Sequence, residues 1–150
     1  MAKGNAVSEI LILNGPNLNR LGSREPSVYG TGSYEELVEY CKDVGVAVGR
    51  TVEVRQTNDE AEMIDWLHEA ADLETPVVLN PAAWGHYSYA LRDACAMLTA
   101  PLVEVHISNI HAREEFRHTS VISPVARGVI AGLGVEGYAD AIQAIVRFTA

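Results

Sequence analysis

Short apolar segments alternate with segments of helical period along almost the whole chain, and this alternation admits few folds. "EILILN" at 9 to 14, "TVEVRQ" at 51 to 56, "PVVLN" at 76 to 80, "PLVEVHIS" at 101 to 108 and "GVIAGLG" at 128 to 134 read as strands. Ser33 stands three residues before Glu36 as a capping box, and Leu37, Val38, Cys41, Val44 and Val48 recur at helical spacing behind it. Asp59 with Glu62 can cap a second helix whose Ile64, Leu67 and Ala71 face the core. "SYALRDACAML" at 88 to 98 and "YADAIQAIVRF" at 138 to 148 supply two more. The alternation predicts an α/β fold, a flavodoxin-like three-layer sandwich whose five-stranded parallel sheet is covered on both faces. In the strand order 2-1-3-4-5, a ligand crevice opens beyond the carboxyl ends of strands one and three. The 150 residues divide into a tail, 1–8, and a single domain, 9–150.

The crevice makes a demand on residue types, and the strand ends meet it. Strand one ends in Asn14-Gly15-Pro16-Asn17, strand three in Asn80-Pro81 and strand four in His106-Ile107-Ser108. Alternation puts Glu104, His106 and Ser108 on one face of strand four, opposite Val103, Val105 and Ile107. A buried carboxylate or imidazole without a partner is costly, so Glu104 is expected to hydrogen-bond His106 and fix its tautomer and direction. Arg113 and Arg117 in "NIHAREEFRH", with Arg24 in the opening loop, can form a basic cluster able to hold a small carboxylate. His86 stands just before the third helix, with Asp93 further on.

Composition excludes several classes. A net charge of −9 opposes binding to nucleic acid or to an anionic membrane surface. Cys41 and Cys95 lie inside apolar helical patterns, as reduced core thiols do. No signal succession or membrane-length apolar run is present, so the expected location is the cytoplasm. No phosphate-cradling G-x-x-x-x-G-K-[ST] occurs, and Gly30-Thr31-Gly32 lacks the rest of a dinucleotide fingerprint. The spacing of His106, His111 and His118 matches no standard ligand set, so no metal is expected. The two lysines, Lys3 and Lys42, lie in the tail and inside the first helix, which leaves Schiff-base chemistry without a nucleophile.

"LNGPNLNRLGSREPSVYG" at 13 to 30 begins as the end of an apolar strand and then runs for sixteen residues without a hydrophobic period, a length of loop that in a small domain is a linker or a working element. This block, with "RQTNDEAEMIDWLHEA", "NPAAWGHYSYALRDA" and "EVHISNIHAREEFRHTSVISPVARGVIAGLGVEGY", resembles type II 3-dehydroquinate dehydratase from about residue 9 to the last helix. The resemblance implies a cofactor-free hydro-lyase that removes water from 3-dehydroquinate through an enolate, assembled as a homo-oligomer, commonly a dodecamer of trimers. By the same resemblance Tyr29 is the base and Arg24 favours its phenolate. His106, oriented by Glu104, is the general acid, and Asn17 helps stabilise the enolate through a water. Asn80, His86, Asp93 and Arg117 would hold the ring hydroxyls, Ile107 and Ser108 the carboxylate, and Arg113 would join a lid and its charge network.

A phenol with a pKa near 10 costs roughly 4 kcal/mol to ionise at pH 7. A guanidinium at about 4 Å and an effective dielectric of about 20 offers on the order of 4 kcal/mol of attraction, so one close arginine nearly supplies the shift. Residues 18 to 30 are expected to form a mobile lid carrying Arg24 and Tyr29, with Gly22, Gly30 and Gly32 as hinges. The chain departs from the family pattern N-P-G-A-x-T-H-T-S at Ala82, Gly85 and Tyr87. Two threonines beside His86 are thereby lost, Gly85 is expected to loosen the backbone there, and substrate affinity is the property at risk. A non-catalytic flavodoxin-like module that binds small anions would use the same crevice, but would need neither a tyrosine base nor a Glu-His pair.

Overall fold

The structure is a computed structural model and describes residues 9–23, 25–29 and 32–150. Five parallel strands form one sheet in the order β2-β1-β3-β4-β5: β1 is Glu9–Asn14, β2 Thr51–Gln56, β3 Val77–Asn80, β4 Leu102–His106 and β5 Gly128–Ala131. Among the described residues, four helices of two or more turns cover it: α1 Tyr34–Ala47, α2 Glu60–Leu73, α3 Tyr89–Ala96 and α4 Glu136–Phe148. The flavodoxin-like arrangement expected from the alternation is the one found, with shorter ends. Strand four stops at His106, and strand five at Ala131 rather than 134, because the chain turns through Gly132 and Gly134 at φ 88° and 68°.

Strand alternation divides the interior in two. Ile10, Ile12, Val78, Val103 and Val105 pack on one face with Leu37 and Cys41 of α1 and Ala141, Ile142 and Ile145 of α4. Leu11, Leu13, Val77, Leu79 and Leu102 pack on the other with Met63, Leu67 and Ala70 of α2 and Leu91, Ala94 and Cys95 of α3. The inward residues of α2 are therefore Met63, Leu67 and Ala70, while Ile64 and Ala71, expected in the core, are only half-buried. Burial pushes both cysteine thiols up to about 12, which leaves them protonated and inert. Among the described residues, no helix is long and apolar enough to cross a membrane.

Caps stand where the sequence places them. The Ser33 side chain accepts from Glu36 N–H, Asp59 from Ala61 N–H and Ser88 from Leu91 N–H. The long opening segment is not structureless. Leu18–Arg20 forms a 3-10 turn and Pro26–Tyr29 a short helical turn, with Leu18 and Leu21 buried against the α1 and α4 side of the sheet. At its start, Gly15 lies so close to β3 that an added Cβ would stand 2.6 Å from the Pro81 carbonyl oxygen. That approach brings the ends of β1 and β3 together beneath the crevice.

Candidate active site

A cleft of about 520 Å³ opens at the carboxyl end of the sheet. Asn17, Tyr29, Asn80, His86, His106, Ile107, Ser108, Arg113 and Arg117 all line it. The elements that present them are the loop after β1, the turn Pro26–Tyr29, the ends of β3 and β4, and the 3-10 turns that follow. Parallel strands deliver their carboxyl ends to one edge, so residues far apart in sequence converge there.

Strand four brings Glu104 to the buried side of the cleft and His106 to its wall, 0% and 4% exposed. His106 Nε2 lies 2.5 Å from Glu104 Oε2. Ser120 donates to the same oxygen at 2.7 Å and Ser123 to Oε1 at 2.6 Å. Burial pushes the Glu104 carboxyl up, but the hydrogen bond and charge of His106, with the two serine hydroxyls, more than reverse this and hold it below the ordinary range. The carboxylate is anionic and fully satisfied, and the bond at Nε2 leaves Nδ1 as the imidazole nitrogen that can exchange a proton. The serines carry no helical or strand period, and no signal in the sequence ties them to a carboxylate 16 and 19 residues earlier.

Replacing both Ser120 and Ser123 with alanine removes two donors to a buried anion, at about 1–3 kcal/mol each. With its folded pKa lowered from an ordinary value of 4.5, Glu104 contributes stability above that pH and loses it as pH falls through the folded value. Urea midpoints of the double variant are expected well below those of the unmodified protein at about pH 7, with the gap narrowing as pH falls through the lowered folded value of Glu104. A gap of equal size above and below that value would mean that the loss comes from the bonds Ser120 Oγ accepts from Ile122 and Ser123 N–H, and not from the carboxylate.

Tyr29 Oη accepts a hydrogen bond from Arg113 Nη1 at 2.6 Å, and the guanidinium carbon lies 5.2 Å from the ring centroid. Arg113 is thus the cation at the phenol in the described structure, a contact the sequence did not assign to it. Arg24 and Gly30 lie outside the described residues. Glu114 Oε1 accepts from Arg117 Nε at 3.0 Å and lies 3.7 Å from Arg113 Nε, so one carboxylate spaces the two guanidinium groups along the cleft wall.

His86 Nδ1 lies 2.9 Å from the Thr119 carbonyl oxygen, and its ring stacks on His106 with centroids 5.9 Å apart. A carbonyl can only accept, so Nδ1 carries the proton and Nε2 is left as an acceptor. Burial holds the imidazole below its usual range despite the opposing bond to Thr119, and the positive charges of His106 and Arg117 add to this. Asn17 sits at φ 71° while its N–H donates to Asn58 Oδ1 at 2.9 Å. Gln56 Nε2 donates to that same oxygen and to the Gly15 carbonyl, so the end of β2 fixes the loop that carries Asn17.

Gly85 does not loosen the backbone. Its carbonyl accepts from Val121 N–H at 2.8 Å, and an added Cβ would stand 2.7 Å from Pro81 Cγ, a ring atom with little freedom to move. Ala82 meanwhile occupies φ 51°, where an alanine methyl is strained. Gly85→Ala is expected to cost about 1–3 kcal/mol and Ala82→Gly to lie between neutral and about 1 kcal/mol stabilising, both measured by urea denaturation. An unaffected Gly85→Ala would show that Pro81 yields.

Asp93 is the one expected site residue among the described positions that the structure keeps away. It lies on the exposed side of α3 and does not line the cleft of its own chain. Among the described residues, no three His, Cys, Asp or Glu side chains converge as a metal cage. The arrangement supplies a phenol beside a guanidinium, an imidazole braced by a carboxylate, and a polar rim. That set suits proton removal from one atom of a small anion and proton delivery to another.

The family described as Dehydroquinase class II matches residues 8–146. A 3-dehydroquinate dehydratase of Salinispora tropica is 65% identical over 134 residues, covering 89% of this chain and 94% of the relative. One of Kineococcus radiotolerans is 57% identical over 135 residues, with 90% and 92% covered. The crystal structure of a type II dehydroquinase from Propionibacterium acnes superposes with a TM-score of 0.92 at 54% identity, covering 93% of this chain and 97% of that one. Matched along nearly its full described length in both sequence and fold, the chain belongs to the class II dehydroquinase family.

Proposed function

We propose that the cleft dehydrates 3-dehydroquinate to 3-dehydroshikimate by anti elimination through an enolate, a step of aromatic amino acid biosynthesis. As a class II dehydroquinase the protein is a hydro-lyase, and relatives at more than half identity carry the name 3-dehydroquinate dehydratase. The observation that supports the mechanism is the joining of the Tyr29–Arg113 contact and the Glu104–His106 pair in one cleft.

Tyr29, as phenolate, takes a proton from the carbon beside the ketone, and the electron pair moves onto the ketone oxygen as an enolate. Arg113 balances the phenolate, and Arg24 joins it in this role by the family resemblance. An ordered water held by Asn17 steadies the enolate. When the enolate collapses, the carbon–oxygen bond breaks, and the departing hydroxide takes the proton of His106 Nδ1 and leaves as water. Glu104 balances the imidazolium before transfer and fixes the ring throughout. Solvent then returns a proton to His106 and accepts the one held by Tyr29. Asn80, Arg117 and the acceptor Nε2 of His86 hold the ring hydroxyls, while Ile107 and Ser108 hold the carboxylate. No cofactor enters this scheme.

Asp93 contacts substrate only from a neighbouring copy in a homo-oligomer, since its own cleft excludes it. Mixed oligomers of Asp93→Ala and Tyr29→Phe chains are then expected to regain activity that neither variant has alone. Mixtures no more active than the sum of their parts would remove the shared site. The reaction itself is tested by adding 3-dehydroquinate and following the ultraviolet absorbance of the conjugated product. Turnover should persist under borohydride, and absence of turnover would overturn the proposal.

A further inference from the structure

Beneath the cleft, the ends of β1 and β3 carry asparagines at one level. Asn14 and Asn80 are register partners across the sheet, 0% and 3% exposed. The hydroxyl of Tyr138, from the first turn of α4 and itself wholly buried, stands between them. Tyr138 Oη donates to Asn14 Oδ1 at 2.6 Å and accepts from Asn80 Nδ2 at 2.8 Å. Asn80 Oδ1 accepts from Ala82 N–H at 3.1 Å, and Asn14 Nδ2 donates to the Arg55 carbonyl at 3.4 Å.

This chain of bonds runs in one direction only. A backbone N–H must meet the carbonyl oxygen of the Asn80 amide, so the amide nitrogen is turned to Tyr138. The phenol oxygen, having accepted that bond, sends its own proton to Asn14. Burial keeps the Tyr138 phenol protonated, against the opposing effect of the Asn80 bond, so the donor is always present. The Asn80 amide retains one N–H and one lone pair for a ligand in the cleft it lines. An apolar trio would pack here without the cost of burying three polar groups, as Ile10, Ile12, Val78 and Val103 do on the same face of the sheet.

We propose that Tyr138 is a positioning residue for substrate recognition: its hydroxyl, braced by Asn14, holds the Asn80 amide in the single orientation that presents its remaining N–H and lone pair to a ring hydroxyl of the substrate. The substrate part of this rests on the dehydration reading; the orientation part does not.

Tyr138→Phe is expected to raise KM for 3-dehydroquinate about tenfold while kcat changes less than about threefold. In an Asn80→Ala background the same substitution should leave KM unchanged, although thermal stability falls in both backgrounds. An unchanged KM in the single variant, or an equal rise in both backgrounds, would overturn the positioning role. Asn14→Ala keeps the phenol but removes its brace, and serves if Tyr138→Phe does not fold; a KM rise of about threefold is expected, and none would count against the proposal. A readout without substrate separates the two claims. Exchange of the Asn80 side-chain amide protons, followed by NMR, should be at least about tenfold faster in Tyr138→Phe. Unchanged exchange would sink the orientation argument, whereas faster exchange in a protein that never turns over 3-dehydroquinate would sink only the reaction.

Discussion

Tyr29→Phe is expected to lower kcat with 3-dehydroquinate by about a thousandfold, with KM within about threefold of the unmodified enzyme. The substitution keeps the ring, which is half-buried at the cleft wall, and deletes only the oxygen that Arg113 reaches at 2.6 Å. Arg113 is not stranded by this loss, because Glu25 and Glu114 carboxylates remain at 3.5 Å and 3.7 Å. The effect should therefore fall on chemistry and not on folding. In the proposed mechanism what is lost is the base that Arg113 balances, leaving proton removal to water. Arg113→Gln can keep a hydrogen bond while removing the charge, and is expected to lose about a hundredfold in kcat. Steady-state rates measured on the conjugated product decide both. A Tyr29→Phe enzyme within tenfold of normal turnover would assign the base elsewhere in the cleft.

The fold was legible because its signals are local. Strands and helices announce themselves by period within about ten residues, and caps such as Ser33, Asp59 and Ser88 mark the helix starts. Period sets an apolar stripe but not its centre. Met63, Ile64, Leu67, Ala70 and Ala71 all belong to the stripe of α2, and the turn of the helix on the sheet chose Met63 and Ala70 over Ile64 and Ala71. The polar face of strand four was legible for the same local reason, since Glu104 and His106 are two residues apart.

The rest of the site depends on where loops return, which no period encodes. Arg113 and Tyr29 meet across 84 positions, and Tyr138 and Asn14 across 124. Asp93 carries the residue type expected of a binding group, yet it lies exposed on α3 and does not line its own cleft. Gly85, which reads as a flexible point by residue type, proves to be a tightly enclosed one because of Pro81 and Val121.

His106→Ala is expected to reduce kcat by about 10³-fold, and Glu104→Gln by about 10²-fold. In the proposed mechanism the first removes the proton donor to the departing hydroxide. The second leaves the imidazole in place but withdraws the charge that balances its protonated form and puts an amide where His106, Ser120 and Ser123 present donors. The serine hydroxyls can rotate and accept from an amide N–H, so the fold survives better than it would with an apolar residue. If Glu104 acts on the reaction through His106, the two effects cannot add. Glu104→Gln should therefore cost kcat nothing further in the His106→Ala background, although its effect on stability persists there. A second hundredfold loss in the double variant would mean that the carboxylate serves the reaction by a route other than the imidazole, and the proton assigned to His106 Nδ1 would have to come from another group in the cleft.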